Sequence, residues 1–260
     1  MHRLATTLIL AASALSASER EFSYVQPSAV LAPGQHEVEL WTTWQGGREG
    51  ANFQRVDSRI ELEVGLVPDT QAAFYLNLRR TSIDGVTESE FEGASFELKH
   101  RLTDPAAGGP GVAVYGELTL NGGETELEGK AIVDGRSGNW SAAANASLEL
   151  EWEQAPDESG TGSTTEMEVG ATLSAGLSRQ LGRNWHLGIE VENRNPIVEG
   201  TWESSTLWAG PVVHLAGQHA WGTLTVLPQL TNLGGEAETG TRDLTDSSRV
   251  EVRLLIGIPF

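Results

Sequence analysis

Apolar and polar residues alternate in about twelve segments of this chain, and this pattern restricts the fold more than any other feature. The last segment, RVEVRLLIGIPF at 249–260, has an apolar side chain at every second position. A period of two places alternate side chains on opposite faces of a β-strand. The sequence therefore predicts strands and almost nothing else after about residue 35. The predicted strands cover 36–45, 58–67, 71–80, 93–102, 111–120, 124–133, 139–153, 165–180, 184–193, 205–216, 220–230 and 249–260.

The connections between these strands alternate in length. Successive connections of an antiparallel meander lie at opposite ends of the strands, so one end carries short turns and the other carries longer polar loops. This layout is typical of outer-membrane barrels, with short periplasmic turns and longer outside loops. The short connections are 67–70, 103–111, 134–139, 181–184 and 216–219. The other set comprises the long segments 81–92, 155–164, 194–205 and 232–248 and the brief segments 46–54 and 121–124.

We therefore predict an all-β fold, a single antiparallel transmembrane β-barrel over residues 35–260. It is an up-and-down meander of about twelve strands, within a range of 10–14. Residues 1–17 have a basic start, an apolar stretch and small residues, which is typical of a secretory signal peptide cleaved within 16–18. Residues 18–34 are predicted to form a short periplasmic segment. The predicted location is the outer membrane of a Gram-negative bacterium.

Tryptophans favour a membrane barrel over a soluble secreted sandwich, which remains the alternative. Trp140 and Trp152 share a face and are twelve residues apart, which places them about 28–30 Å apart along a tilted barrel axis. The residues between them on that face are alanine and leucine. This spacing is close to the apolar band of about 25 Å that aromatic girdles flank. Trp185 opens another strand, and we predict that all three tryptophans lie at the membrane interface.

The opposite face of the predicted sheet carries charge, and in a membrane barrel it lines the lumen. Glutamates recur there in i, i+2 pairs, and their excess over basic residues favours cations in a pore. The whole chain has 36 acidic residues, 17 Lys and Arg, and a net charge of -19, which argues against nucleic-acid binding. The predicted lumen-lining residues are Glu37, Glu39, Arg59, Glu61, Glu63, Arg79, Glu97, Lys99, Arg101, Glu117, Glu149, Glu151, Glu166, Glu168, Glu190, Glu192, Glu251 and Arg253.

Catalytic and metal-binding motifs are lacking in the sequence. It contains no cysteine, no G-x-S-x-G, no H-E-x-x-H and no P-loop. We predict no catalytic residue, no metal site and no cofactor, and expect that the protein is not an enzyme. An enzyme at the membrane rim remains an alternative that needs a Ser–His pair. His100 is the one histidine on the lipid-facing parity, and His186 and His214 have lumenal parity.

The C-terminal strand resembles that of Gram-negative outer-membrane β-barrel proteins, which typically ends in an aromatic residue preceded by alternating apolar residues. That resemblance implies recognition by the barrel-assembly machinery. More narrowly, GQHEVELWTTWQGG, SRIELEVGLVPDTQAAFYLN and GASFELKHRLTDP are similar to channel proteins grouped with phenol-degradation MetA-like barrels, which are regarded as transporters. The residues of the implied assembly signal are Val250, Val252, Leu254, Ile256, Ile258 and Phe260.

The pattern predicts a passive channel for a small solute or ions through a charged, acidic-leaning lumen. One alternative is a non-conducting structural or adhesive barrel whose lumen is plugged by Arg–Glu pairs. The other is the outer-membrane enzyme with a rim-located site. The expected partners are outer-membrane lipid, the barrel-assembly machinery and a small solute whose identity the sequence does not give.

Overall fold

The chain forms a closed antiparallel barrel of twelve strands, as a computed structural model of the protein shows. The structure describes residues 20–156 and 163–260, so the predicted signal peptide lies outside the described residues. Its strands are β1 (His36–Gly46), β2 (Phe53–Val67), β3 (Thr70–Ile83), β4 (Val86–Thr103), β5 (Gly111–Asn121), β6 (Glu124–Ser137), β7 (Trp140–Pro156), β8 (Ser163–Gln180), β9 (Trp185–Val198), β10 (Thr201–Trp202), β11 (Thr206–Ala216), β12 (Trp221–Asn232) and β13 (Val250–Pro259).

Each barrel strand pairs with its neighbours in chain order, and β1 pairs with β13 to close the ring. The two-residue strand β10 pairs antiparallel with the end of β9, and β11 pairs with the rest of β9. The predicted sequential meander of twelve strands is therefore confirmed. Within the described residues, no helix is long and apolar enough to cross a membrane.

The outer face of the sheet is apolar and the inner face is polar, which is the opposite of the arrangement in a soluble protein. Phe96 and Leu148 on the outer face are 54% and 51% exposed, whereas Glu37 and Glu190 on the inner face are fully buried. Burying carboxylates while exposing large apolar side chains is unfavourable in water but suits a barrel surrounded by lipid. The soluble sandwich is thereby excluded, and the chain is an outer-membrane β-barrel of the Gram-negative type.

Two of the predicted long loops are hairpins. The segment 81–92 is strand on both sides of Asp84 and Gly85, whose φ angles are 51° and 89°. Two central residues with positive φ form the tight turn that matches strand twist, for which Asp-Gly is a favoured pair. The segment 194–205 turns in the same way at Glu199 and Gly200, with φ angles of 49° and 83°. Our prediction of loops was wrong there, because the strand residues on both sides of each turn are as polar as those of a loop.

A charge placed on the outer face should destabilise the barrel. Ala146 lies on that face midway between Trp140 and Trp152, and we expect Ala146→Arg to cost about 2–4 kcal/mol of folding free energy. Urea unfolding in lipid vesicles measures this cost. Ser147→Arg is the matched control, because Ser147 lines the internal cavity. Equal stability of the two variants would contradict a lipid-facing outer surface.

Candidate functional site

The chain before β1 lies inside the barrel. We call residues 20–35 the N-terminal segment. The backbone N–H groups of Tyr24 and Val25 donate to Glu190 Oε1 over 2.8 and 3.0 Å. We predicted residues 18–34 as a short periplasmic segment, whereas the structure has residues 20–35 bonded to the inner wall of the barrel. Strand periodicity carries no information about an irregular segment, whose buried N–H groups require lumenal acceptors.

The N-terminal segment follows the inner wall of the barrel and bonds to strands on several sides. The N–H of Leu31 donates to Gln71 Oε1 on β3 over 3.0 Å. Asn145 on β7 brackets Gln26, accepting from its N–H over 2.7 Å and donating to its carbonyl over 2.9 Å. These contacts hold the segment at successive points around the wall.

The wall leaves room for the N-terminal segment at glycines, among them Gly176 and Gly65. A Cβ atom added to Gly176 would lie 2.6 Å from the Phe22 ring. One added to Gly65 would lie 2.1 Å from the carbonyl oxygen of Ala32. Both distances are too short for any larger residue unless the segment moves. The shape of the wall is therefore matched to a docked segment.

The carboxylate of Glu21, near the start of the segment, binds charged and polar side chains of the wall. Arg136 Nη2 lies 2.5 Å from its carboxylate, Ser141 donates to it over 3.1 Å, and Ser178 also donates to it. Burial of Glu21 favours the neutral carboxyl, but the bond from Ser178 and the positive charge of Arg136 outweigh it and lower the pKa of Glu21. Glu21 is thus held as a carboxylate.

A polar cavity of about 550 Å³ occupies the lumen on the long-loop side of the N-terminal segment. Its floor includes Ser23, Tyr24 and Gln26 of the segment. On the floor, the Arg253 guanidinium lies 3.8 Å from the centre of the Tyr24 ring. The cavity thus ends on the segment. Among the predicted lumen residues, those that line it are Arg59, Arg79, Glu117, Glu149, Glu192, Glu251 and Arg253.

The other predicted lumen residues lie outside the cavity lining, toward the short-turn end or the long-loop end of the barrel. Glu190 holds the segment, and Arg101 pairs with Asp69 and Asp104 at a short turn, over 2.6 and 3.1 Å. Glu151 is half-buried, and Glu166 and Glu168 are exposed, at the long-loop end. The residues buried in the short-turn half are Glu37, Glu39, Glu61, Glu63, Glu97 and Lys99.

Ion pairs neutralise much of the cavity wall. Arg194 lies 2.6 Å from Glu192 and 2.8 Å from Glu251. Arg59 lies 3.6 Å from Glu117. These pairs fix long side chains against the wall, since a guanidinium with two carboxylates has few other orientations.

Acidic charge nevertheless remains in excess. The lining contains nine acidic and seven basic side chains. Glu124, Glu126 and Glu149 lie outside the ion pairs of the described residues. They are on β6 and β7, and β7 is six strands from β1 in the ring of twelve, so this acidic wall faces the strands that carry Arg253 and Trp41.

Sequence reasoning missed the acidic residues of β6. Glu124, Glu126 and Glu128 line the cavity and were not among the predicted lumen residues. They follow the same i, i+2 pattern as the pairs that we did identify, so periodicity alone was sufficient to find them.

The interface and terminal residues lie on the outer surface. Trp140 and Trp185 begin β7 and β9 at the short-turn end, and Trp152 lies near the other end of β7. Phe260 stacks on His36 with ring centres 5.6 Å apart, and its N–H donates to the His36 carbonyl. Girdle and assembly roles for these residues stay predictions.

Two histidines bond to threonines. His100 Nδ1 lies 2.9 Å from Thr70 Oγ1 at a short turn. His214 Nδ1 lies 2.8 Å from Thr223 Oγ1 inside the barrel. A rim-located enzyme requires a serine beside such a ring, so these contacts do not favour it.

An engineered disulfide can test the docked position of the N-terminal segment. The Cβ of a residue at 176 would lie 2.9 Å from Phe22 Cγ, so the two Cβ atoms are within about 4.4 Å, close enough for a disulfide. We expect Phe22→Cys with Gly176→Cys to cross-link on mild oxidation, measured by mass spectrometry. The chain has no other cysteine.

The control for this test is Phe22→Cys with Leu177→Cys. Leu177 is adjacent in sequence, but its side chain points outward and is 45% exposed. This pair should remain reduced. Equal cross-linking of both pairs, or of neither, would contradict the docked segment.

The fold resembles several solved outer-membrane barrels. The COG4313 outer-membrane channel from Pseudomonas putida F1 matches with a TM-score of 0.65 at 12% identity, over 89% of this chain and 97% of that chain. The NanC porin matches with a TM-score of 0.53 at 7% identity, over 85% and 98%. The translocator domain of the autotransporter NalP from Neisseria meningitidis matches with 0.53 at 14% identity, over 87% and 88%.

These likenesses establish the fold, which is one that channels, a porin and a translocator domain share. No curated protein matches the sequence significantly. A model of a family of unknown function, DUF6662, matches residues 14–132 and 128–260. Together the two matches extend over nearly the whole chain. The chain belongs to the DUF6662 family.

Proposed function

We propose that this barrel is a passive outer-membrane channel for a small solute or ions. The observation that carries the proposal is the charged internal cavity of about 550 Å³, lined by side chains from strands around the ring. A polar, roomy lumen of this kind suits a hydrated path better than a structural core does. The likeness to the COG4313 channel and the resemblance to MetA-like channels point in the same direction.

The proposed channel prefers cations. Glu124, Glu126 and Glu149 add acidic groups to one wall, and none of them has an ion-pair partner within the described residues. A charged lining of one sign concentrates ions of the opposite sign in a narrow pore. The excess is small, so the selectivity should be modest.

The N-terminal segment is the closing element in this proposal. It forms the cavity floor and is held by non-covalent contacts, such as those of Glu190 with Tyr24 and Val25. Gly34, whose φ is 80°, lies near the end of the segment that joins β1 and provides a backbone conformation that most residues avoid. Opening then requires the segment to leave its sites on the wall while the barrel remains closed.

A non-conducting barrel is the second candidate, and the same segment supports it. If the segment never leaves, the segment and the Arg194–Glu251 and Arg59–Glu117 pairs fill the lumen permanently. The protein would then act through its outside loops. Conductance distinguishes the two functions.

Single-channel recording in a planar bilayer across a salt gradient tests the proposal. We expect discrete conductance steps with a reversal potential on the cation-selective side. Protein that is shown to be a folded barrel yet passes neither ions nor small solutes would contradict the channel and support the non-conducting candidate.

Removing the acidic wall should change the selectivity. We expect Glu124→Gln, Glu126→Gln and Glu149→Gln together to shift the reversal potential toward anions, because three acidic groups leave the cavity. The control is the removal of three exposed loop carboxylates by Glu199→Gln, Glu236→Gln and Glu238→Gln. Equal shifts in both triple variants would show that surface charge, not the lumen, sets the selectivity.

A further inference from the structure

Four glutamates form a compact group on the inner face of β1 and β2. The strand register places Glu37 opposite Glu63 and Glu39 opposite Glu61. Alternate positions on paired strands share a face, and directly opposed Cβ atoms are about 4.5–5.5 Å apart. None of the four is more than 3% exposed. We call these residues the glutamate array.

The spacing of oxygen atoms in the array fits one cation. One carboxylate oxygen from each of Glu37, Glu39 and Glu63 lies within 4.8 Å of the other two. Ca²⁺ binds oxygen at about 2.3–2.6 Å, so opposed ligands stand up to about 5 Å apart. Mg²⁺ binds at about 2.0–2.1 Å and needs opposed ligands about 4 Å apart. The three oxygens are therefore close enough to share one cation, and a buried set of carboxylates suits calcium better than Mg²⁺, which usually keeps several of its waters.

Hydrogen bonds orient these carboxylates. The indole of Trp221 donates to Glu37 over 3.1 Å, and the indole of Trp41 donates to Glu39 over 2.8 Å. Gln71 donates to Glu63 over 3.1 Å and also accepts from the backbone of the N-terminal segment. Ligands held by such outer partners are typical of built metal sites.

Glu61 is a buried carboxylate that no hydrogen bond of the described residues stabilises. It is 1% exposed, and within the described part of the chain neither of its oxygens has a hydrogen-bond partner. The Oε1 atom of Glu39, directly across the strand pair, also lacks one among those residues. Buried carboxylates without donors are costly unless a cation or a proton neutralises them.

Among the described residues, glutamates outnumber the basic side chains near the array. Arg20 Nη1 lies 3.6 Å from Glu39 Oε2. Lys99 is also buried nearby, where it interacts electrostatically with Glu97 and Glu63. These two cations face the four glutamates of the array and Glu97, so full ionisation of the glutamates would require a further cation.

We propose that the glutamate array is a calcium-binding site. Glu37, Glu39 and Glu63 supply the shared ligand oxygens, and Glu61 supplies further negative charge beside Glu39. The site lies in the short-turn half of the lumen, next to the place where Arg20 of the N-terminal segment contacts the wall. None of its four glutamates lines the proposed conduction cavity, although Arg20 and Trp41 border both, and binding can be measured whether or not the barrel conducts.

Terbium luminescence tests this site, because Tb³⁺ occupies calcium sites and Trp41 and Trp221 adjoin the array. We expect the refolded barrel with its N-terminal segment to sensitise Tb³⁺ on tryptophan excitation. Added Ca²⁺ should displace the Tb³⁺, and Mg²⁺ should displace it at least tenfold less effectively. No sensitised emission, or emission that Ca²⁺ does not reduce, would overturn the site.

Isosteric variants locate the binding. Glu39→Gln and Glu61→Gln should each weaken Tb³⁺ binding at least tenfold, whereas Glu166→Gln, at an exposed rim position, should leave it unchanged. Equal affinities in all three variants would assign the signal to surface carboxylates and overturn the proposal. Equilibrium dialysis of the wild-type barrel with Ca²⁺ needs no variant and should give about one tightly bound ion, and none bound would overturn it.

Discussion

Every other feature of this protein depends on the pairing of its first and last strands. A membrane-spanning sheet cannot leave an open edge in lipid, because each exposed N–H or carbonyl there lacks a partner. The β1–β13 ladder runs from Glu37 with Pro259 to Gly46 with Val250 and removes that edge. Closure in turn separates a lipid-facing surface from an enclosed lumen. The apolar positions of the alternating sequence face the lipid, and the polar positions face the lumen.

The enclosed lumen is divided by the protein's own chain. The N-terminal segment forms the floor of a charged cavity on the long-loop side and contacts the buried glutamate array through Arg20. Each contact that holds the segment uses a lumenal side chain or a glycine of the wall, such as Glu190 or Gly176. The same strands therefore line the cavity and bind the segment that forms its floor.

The sequence was sufficient to predict the barrel but not the segment that lies inside its lumen. Strand alternation gave twelve strands, because in a lipid-surrounded sheet each position must be either apolar or polar. It missed the hairpin at Asp84 and Gly85, where polar strands continue beyond the predicted membrane band. It also misplaced the N-terminal segment, whose position depends on partners distant in sequence, such as Asn145 for Gln26. Hydrogen bonds between residues that are distant in sequence produce no periodic pattern in the sequence.

The most direct test of this account is the conductance of the barrel whose segment is locked by Phe22→Cys and Gly176→Cys. The recording is made on one bilayer, before and after a reducing agent is added. We expect silence while the disulfide is intact and cation-selective steps after reduction. Steps of equal size and frequency in both states would show that the N-terminal segment does not close the lumen.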